Sequence, residues 1–212
     1  MHRPRVGLRL FALSLVLFAC GYAFAQVETT TQKSPTEVIE DYWRMETTGG
    51  RLTNDGWYAA SRFFIRMAAL AGAPGKVIHV TENAKSAKIE ESARTENWAE
   101  VSVSPDFLGN IDSDLRFKPT PKHGPNGVVI LRWTTVTFAL VLTSKQWKLN
   151  SDGGRENEAS GPLQWLIDCD QKDMWLSKEV AIRYVKEMRD QAIDSAIKKN
   201  ADETIAALEK IR

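Results

Sequence analysis

Ser34-Pro35-Thr36-Glu37-Val38-Ile39-Glu40-Asp41-Tyr42-Trp43 has the composition of a helix start. Ser34 can accept a hydrogen bond from the amide of Glu37, the Glu37 carboxylate can reach back to the Ser34 amide, and Pro35 suits the first helical position. Val38, Ile39, Tyr42 and Trp43 then recur at helical spacing. Gly49-Gly50 closes the helix. Downstream, Thr53 can cap a second helix, with Trp57, Ala60, Phe64, Met67, Ala68 and Ala71 on one face and Gly72-Ala73-Pro74-Gly75 as its stop. The short linker predicts a helical hairpin.

Beyond the hairpin the period switches to two. Val77 to Asn83 predicts a short strand, with Ile78 and Val80 on one face and His79 and Thr81 on the other. Lys88 to Arg94 and Trp98 to Ser104 flank Thr95-Glu96-Asn97 as a predicted hairpin. Pro105 to Gly127 carries four prolines and three glycines, with local positive charge from Arg116, Lys118, Lys122 and His123. It is expected to be an irregular surface loop or a ligand-facing flap. Val128 to Thr143 is the longest strand signal and reads as a central strand. Ser144-Lys145 is expected to turn it into a shorter partner, Gln146 to Asn150, and Ser151 to Gly161 into a polar loop. The end of the chain is helical in pattern: Ser177 as a cap, a helix to about Lys199, a break near Asn200 and Asp202, and a short last helix. The predicted class is α+β, an N-terminal helical hairpin on a curved, cone-like antiparallel sheet of about five strands with a C-terminal helical extension.

Upstream of Ser34, residues 26–33 read as a flexible tether. Residues 1–25 have the layout of a secretory signal: Arg3, Arg5 and Arg9, an apolar run from Leu10 to Ala19, and Ala23-Phe24-Ala25 before Gln26. The run is shorter than the roughly 20 residues a membrane span requires. Leu17-Phe18-Ala19-Cys20-Gly21 competes as a lipoprotein signal in which Cys20 is lipidated and tethers the domain to a membrane. The expected organisation is thus signal 1–25, tether 26–33, α+β domain 34–152 and helical extension 153–212. The destination is the periplasm or the exterior, soluble or membrane-anchored.

The 212 residues carry 28 basic and 27 acidic side chains and seven tryptophans. The charge is balanced and no basic stripe is present, so nothing points to nucleic acid. Loss of residues 1–25 removes His2 and three arginines but no acid, leaving a slightly acidic chain with His79 and His123. Cys169 is then the sole thiol available for pairing, in the apolar context Trp165-Leu166-Ile167-Asp168-Cys169, and reads as a small core residue.

The helix opening at Pro35 to Trp43, together with the late Gln146-Trp147-Lys148-Leu149, resembles the nuclear transport factor 2-like superfamily, which includes SnoaL-like and ketosteroid-isomerase-like proteins. In that group closing strands often combine Trp, a basic residue and an aliphatic one. The resemblance covers roughly residues 34–152 and implies a cone-shaped fold with a pocket between the helices and the concave sheet. The chain departs from it in lacking a clear third helix between the early strands and in continuing through residues 153–212. No member's catalytic set carries over.

The chain has no H-E-x-x-H, C-x-x-C, G-x-S-x-G or Walker-type loop, so no metal and no cofactor is expected. Asp168, Asp170 and Glu179 fall at calcium-loop spacing, but Lys172 and Asp173 occupy positions that oppose it; an acidic turn with Asp173 or Ser177 as a helix cap is the alternative. The pocket candidates under the cone reading are Tyr42, Trp43, Trp57, His79, Arg132 and Trp133, aromatic walls with a few polar groups. His79 is also the candidate general base; core packing of the aromatic residues is the competing reading. The expected function is a non-catalytic exported domain for a small apolar molecule or an envelope protein, with a homodimer through residues 177–212 also open. The alternative is a cofactor-independent isomerase or lyase. Mass spectrometry of the exported chain separates the two processing routes: Gln26 at the N-terminus means a soluble product, and diacylglyceryl Cys20 means an anchored one.

Overall fold

The computed structural model describes residues 32–65, 77–120, 135–149, 156–171 and 173–211. Helix α1, Pro35–Thr47, carries the full capping box. Glu37 N donates to Ser34 Oγ at 3.3 Å, and Ser34 N donates to Glu37 Oε2 at 2.7 Å. The Ser34 amide and then its hydroxyl hold the Glu37 carboxyl below its usual range. Gly49 ends the turn after α1 at φ 89°, where a Cβ would come within 3.0 Å of Val180, so the left-handed backbone there requires glycine. A 3-10 turn, Gly50–Leu52, leads into α2, Asn54–Ser61, whose cap is Thr53 Oγ1.

Helix α2 is shorter than its apolar pattern predicts. The chain leaves it at Arg62 and forms a parallel bridge in which Phe64 meets Ile167. Ile65 N donates to Ile167 O and Ile167 N donates to Phe63 O; sheet-type partners have replaced helical ones. Met67, Ala68 and Ala71 lie outside the described residues.

Eight strands follow among the described residues. They are β1 Ile78–Thr81, β2 Lys88–Arg94, β3 Trp98–Ser104, β4 Phe107–Ile111, β5 Phe117–Pro119, β6 Val136–Leu149, β7 Glu156–Ile167 and β8 Met174–Ser177. The α+β class is as expected, but two four-stranded sheets stand where one sheet was expected. Sheet A has the order β2-β3-β6-β7 and is antiparallel throughout. Sheet B has the order β5-β4-β1-β8, with β1 and β8 parallel and the other pairs antiparallel.

Three local expectations are corrected by this pairing. Ser144-Lys145 is not a turn: β6 runs straight through it and the register against β7 shifts between Thr143 and Lys145. A tight hairpin needs residues that accept positive φ, which Ser and Lys do poorly, so the irregularity is absorbed as a bulge. The polar stretch before Gly161 belongs in part to β7, because backbone pairing to β6 does not require apolar side chains. Two strands, β4 and β5, occupy the proline-rich region, with Pro119 at the end of an edge strand where its missing N–H costs nothing.

The C-terminal helices are α3, Lys178–Gln191, and α4, Ser195–Glu209. The break falls at residues 192–194, earlier than expected, because Asp194 caps α4 through Ala196 N at 2.7 Å. Asn200 and Asp202 are instead helix-surface residues, bonded to Asp114 O and to Arg189. Strands β7 and β8 and helices α3 and α4 all belong to the compact unit that spans residues 32–212.

Two apolar cores result. In the first, Val38, Ile39, Tyr42 and Trp43 of α1 pack with Ala60 and Phe64 against Val101, Val103, Phe138, Leu140 and Ile167 of sheet A. In the second, Ile78, Val80, Ile111, Met174 and Leu176 of sheet B meet Val180, Val185, Ile205 and Leu208 of α3 and α4. Each fully buried Val, Leu, Ile, Phe or Met side chain among these contributes about 1.5–3 kcal/mol. The apolar stripe of the C-terminal helices is thus used against its own sheet; Ile193 is the exposed large apolar residue in that segment.

A buried ion pair links the cores. Glu46 and Arg51 have side chains 1% and 6% exposed. Arg51 Nε donates to Glu46 Oε2 at 2.7 Å, Nη1 to Gln171 O at 3.0 Å and Nη2 to both Glu46 Oε1 and Asp173 O. Trp175 N donates to Glu46 Oε1 at 3.0 Å. Burial pulls the Arg51 pKa down, but the hydrogen bond and charge of Glu46 outweigh it and leave Arg51 above its ordinary value. Glu46→Ala is expected to destabilise the fold by about 3–5 kcal/mol, because Arg51 is left charged and buried. The double variant Glu46→Leu/Arg51→Met is expected to cost less than the single one. Urea unfolding of the three proteins checks this order.

Candidate functional site

Sheet B presents its two faces to different environments. Ile78, Val80, Met174 and Leu176 turn to the second core, so His79 and Trp175 share the opposite face, paired in register across β1 and β8. Asn110 of β4 pairs with His79 on the other side. The rung Asn110–His79–Trp175 is therefore a direct consequence of strand alternation.

His79 Nδ1 lies 2.6 Å from Asn110 Oδ1. An amide oxygen only accepts, so Nδ1 carries the proton. His79 Nε2 lies 3.3 Å from Asp173 Oδ2, a contact that is attractive when Nε2 is protonated as well. The His79 ring stacks on Trp175 at 4.5 Å with a 30° tilt, and Phe107 meets it edge-on at 5.8 Å. The His79 side chain is 21% exposed and that of Asp173 56%, so the pair sits at a partly open surface. Arg51, gripping the Asp173 carbonyl, sets where the carboxylate stands.

The other sequence candidates take different places. Tyr42 is buried in the first core, edge-on to Phe64 at 5.2 Å and near Phe138 at 5.7 Å. Burial, reinforced by the Glu46 charge, holds its phenol well above the ordinary range, so it stays protonated. Trp57 is half-buried and packs edge-on to Tyr58 at 5.2 Å. Trp43 is 1% exposed and rests against Trp175 at 5.3 Å. Arg132, Trp133 and Cys20 lie outside the described residues. Cys169 packs against the first core, and burial pushes its thiol up. Asp168, Asp170 and Asp173 lie between β7 and β8, not between helices, and Ser177, not Asp173, precedes α3. Among the described residues no group of three or more His, Cys, Asp or Glu side chains could hold a metal ion.

The other flank of Trp43 borders a groove of about 500 Å³. Glu40, Trp43, Arg44 and Thr48 form one wall; Ala84, Lys85 and Ala87 of the β1–β2 connection, with Ile89 of β2, form the other. Asn83 shapes that connection by accepting from the amides of Lys85 and Ser86, both at 2.8 Å, an Asx turn that sets Ala84 and Lys85 opposite α1. Trp43 Nε1 is buried without a hydrogen-bond partner among the described residues.

Sequence reading reaches His79 and Trp43 but misses Asn110, Asp173, Trp175 and Lys85. Trp175 has a signal in its apolar triplet Met174-Trp175-Leu176. Asp173 reads as an acidic turn residue, and its histidine partner comes from a distant strand. No family model, no curated protein and no solved structure matches the chain. Function is therefore read from the residues themselves. For the rung, His79→Phe keeps a ring over Trp175 and is expected to stay closer to the parent stability than His79→Ala, by about 0.5–1.5 kcal/mol. Equal urea midpoints for the two variants would mean that the polar contacts, not the stack, hold the rung.

Proposed function

We propose that this chain is an exported binding domain that holds a small, partly apolar molecule between α1 and the β1–β2 connection and does no chemistry on it. The observation that carries this reading is the groove itself. Its volume of about 500 Å³ is within the usual range for small-molecule sites. Its apolar lining is Ala84, Ala87 and Ile89, and the α1 wall is anchored by Trp43, a side chain buried in the first core and against Trp175, so the walls offered to a ligand are preorganised. Export rests on the signal layout of residues 1–25. A fold-level kinship with nuclear transport factor 2-like proteins is part of the same proposal, supported by a helix pair laid on an antiparallel sheet. The proposed pocket differs from the space between α1 and sheet A, where Val38, Ile39, Tyr42 and Phe138 pack on one another.

A second reading follows from one observation, the contact of His79 Nε2 with Asp173. In it, the pair is the acid/base couple of a cofactor-independent isomerase or lyase, with Asn110 fixing the proton on Nδ1. It stands second because Trp175 and Phe107 already occupy the flanks of the ring.

The neutral fluorescent probe N-phenyl-1-naphthylamine tests both. Saturable one-site binding is expected, lost in Ala84→Trp and kept in His79→Ala. Loss in His79→Ala with retention in Ala84→Trp would move the site to the rung.

A further inference from the structure

The charges around the groove are unevenly satisfied. Asp41 is shared by Lys33 and by Arg44, the latter at 3.3 Å. Lys85 has no acidic partner among the described residues, although its own backbone is held by Asn83. Glu40 likewise has no basic partner among them. The rim therefore holds one unpaired cation, one cation sharing its acid with Lys33, and one acid, beside the apolar Ala84, Ala87 and Ile89. An isolated cation beside an apolar floor suits a ligand whose apolar body ends in an anion.

We infer that the ligand class is a small organic acid, an aliphatic or aryl carboxylate whose chain lies on Ala87 and Ile89 and whose carboxylate faces Lys85 and Arg44. This rests on the groove being the binding site. Glu40 is then an adverse charge, and its removal tightens binding. Because these groups sit at an exposed rim, each is worth only a small factor, about two- to five-fold in affinity, and salt screens it.

The test compares octanoate, octan-1-ol and octylammonium by calorimetry on the full processed chain. Octanoate is expected to bind more tightly than the other two. Lys85→Gln weakens octanoate about two- to five-fold and Glu40→Gln tightens it by a similar factor, while octan-1-ol responds to neither. Raised salt weakens octanoate alone. All three substitutions of this scheme, Ala84→Trp included, lie on the surface, and an unchanged urea midpoint confirms that each variant is folded. Equal binding of the three compounds, or a preference for octylammonium, overturns the acid class while leaving the groove as the site if Ala84→Trp abolishes binding. Absence of saturable binding for the three compounds, with the neutral naphthylamine probe still bound and still displaced by Ala84→Trp, overturns the acid class alone. Failure of that probe as well overturns the groove.

Discussion

The pairing of Glu46 with Arg51 sets the geometry on which the rest depends. Both carboxylate oxygens are used, one of them twice, and the guanidinium reaches two backbone carbonyls about 120 residues away in sequence. A buried pair of this kind gains little over a well-packed apolar replacement, because desolvation offsets much of the attraction. Its consequence here is positional. It fixes Gln171, Asp173 and Trp175 against the end of α1, and so fixes the rung at which β8 meets β1. A slip of one residue would send Met174 or Leu176 into the His79 face and Trp175 into the second core.

Sheet B therefore joins the two cores. One face is apolar and covered by α3 and α4. The other carries His79, Asn110, Trp175 and Phe107, and passes from a polar rung to the first core through Trp175, which touches both Trp43 and His79. Parallel pairing of β1 with β8 makes this juxtaposition non-local: the two strands are joined through residues 82–173, about half of the compact unit, so pairing them carries a loop-closure cost that local elements do not.

That non-locality decides what the sequence discloses. The cap and face of α1 are legible because Ser34, Pro35 and Glu37 interact within one turn. Strands β2 and β3 are legible to the residue because alternation and the intervening Thr95-Glu96-Asn97 agree. The break between α3 and α4 is misplaced because Asp194 is one of several acids that could cap, and the apolar stripe continues past it. Strands β7 and β8 escape because one is polar over its first half and the other is short; both are strands by virtue of their partners. In the same way His79 is visible as a residue type, whereas Asn110 and Asp173 gain meaning only when β4 and the approach to β8 are brought beside it. Lys85 lies in an ordinary polar turn and becomes notable only because no acid pairs with it among the described residues while it lines the groove.

The tryptophans carry a related lesson about where binding capacity resides. Trp43, Trp165 and Trp175 are spent on packing: two stack on each other, and Arg94 lies over the Trp165 ring at 5.4 Å. Aromatic content therefore does not by itself imply an aromatic pocket. Yet a helix that buries one stripe must present the edges of that stripe to whatever adjoins it. On α1 that boundary runs beside the buried Trp43, with Glu40 and Arg44 just outside the core and the Asn83 turn opposite. A site at such a boundary inherits its rigid floor from the core and its charge from the solvated face. That combination selects molecules that are themselves apolar at one end and charged at the other.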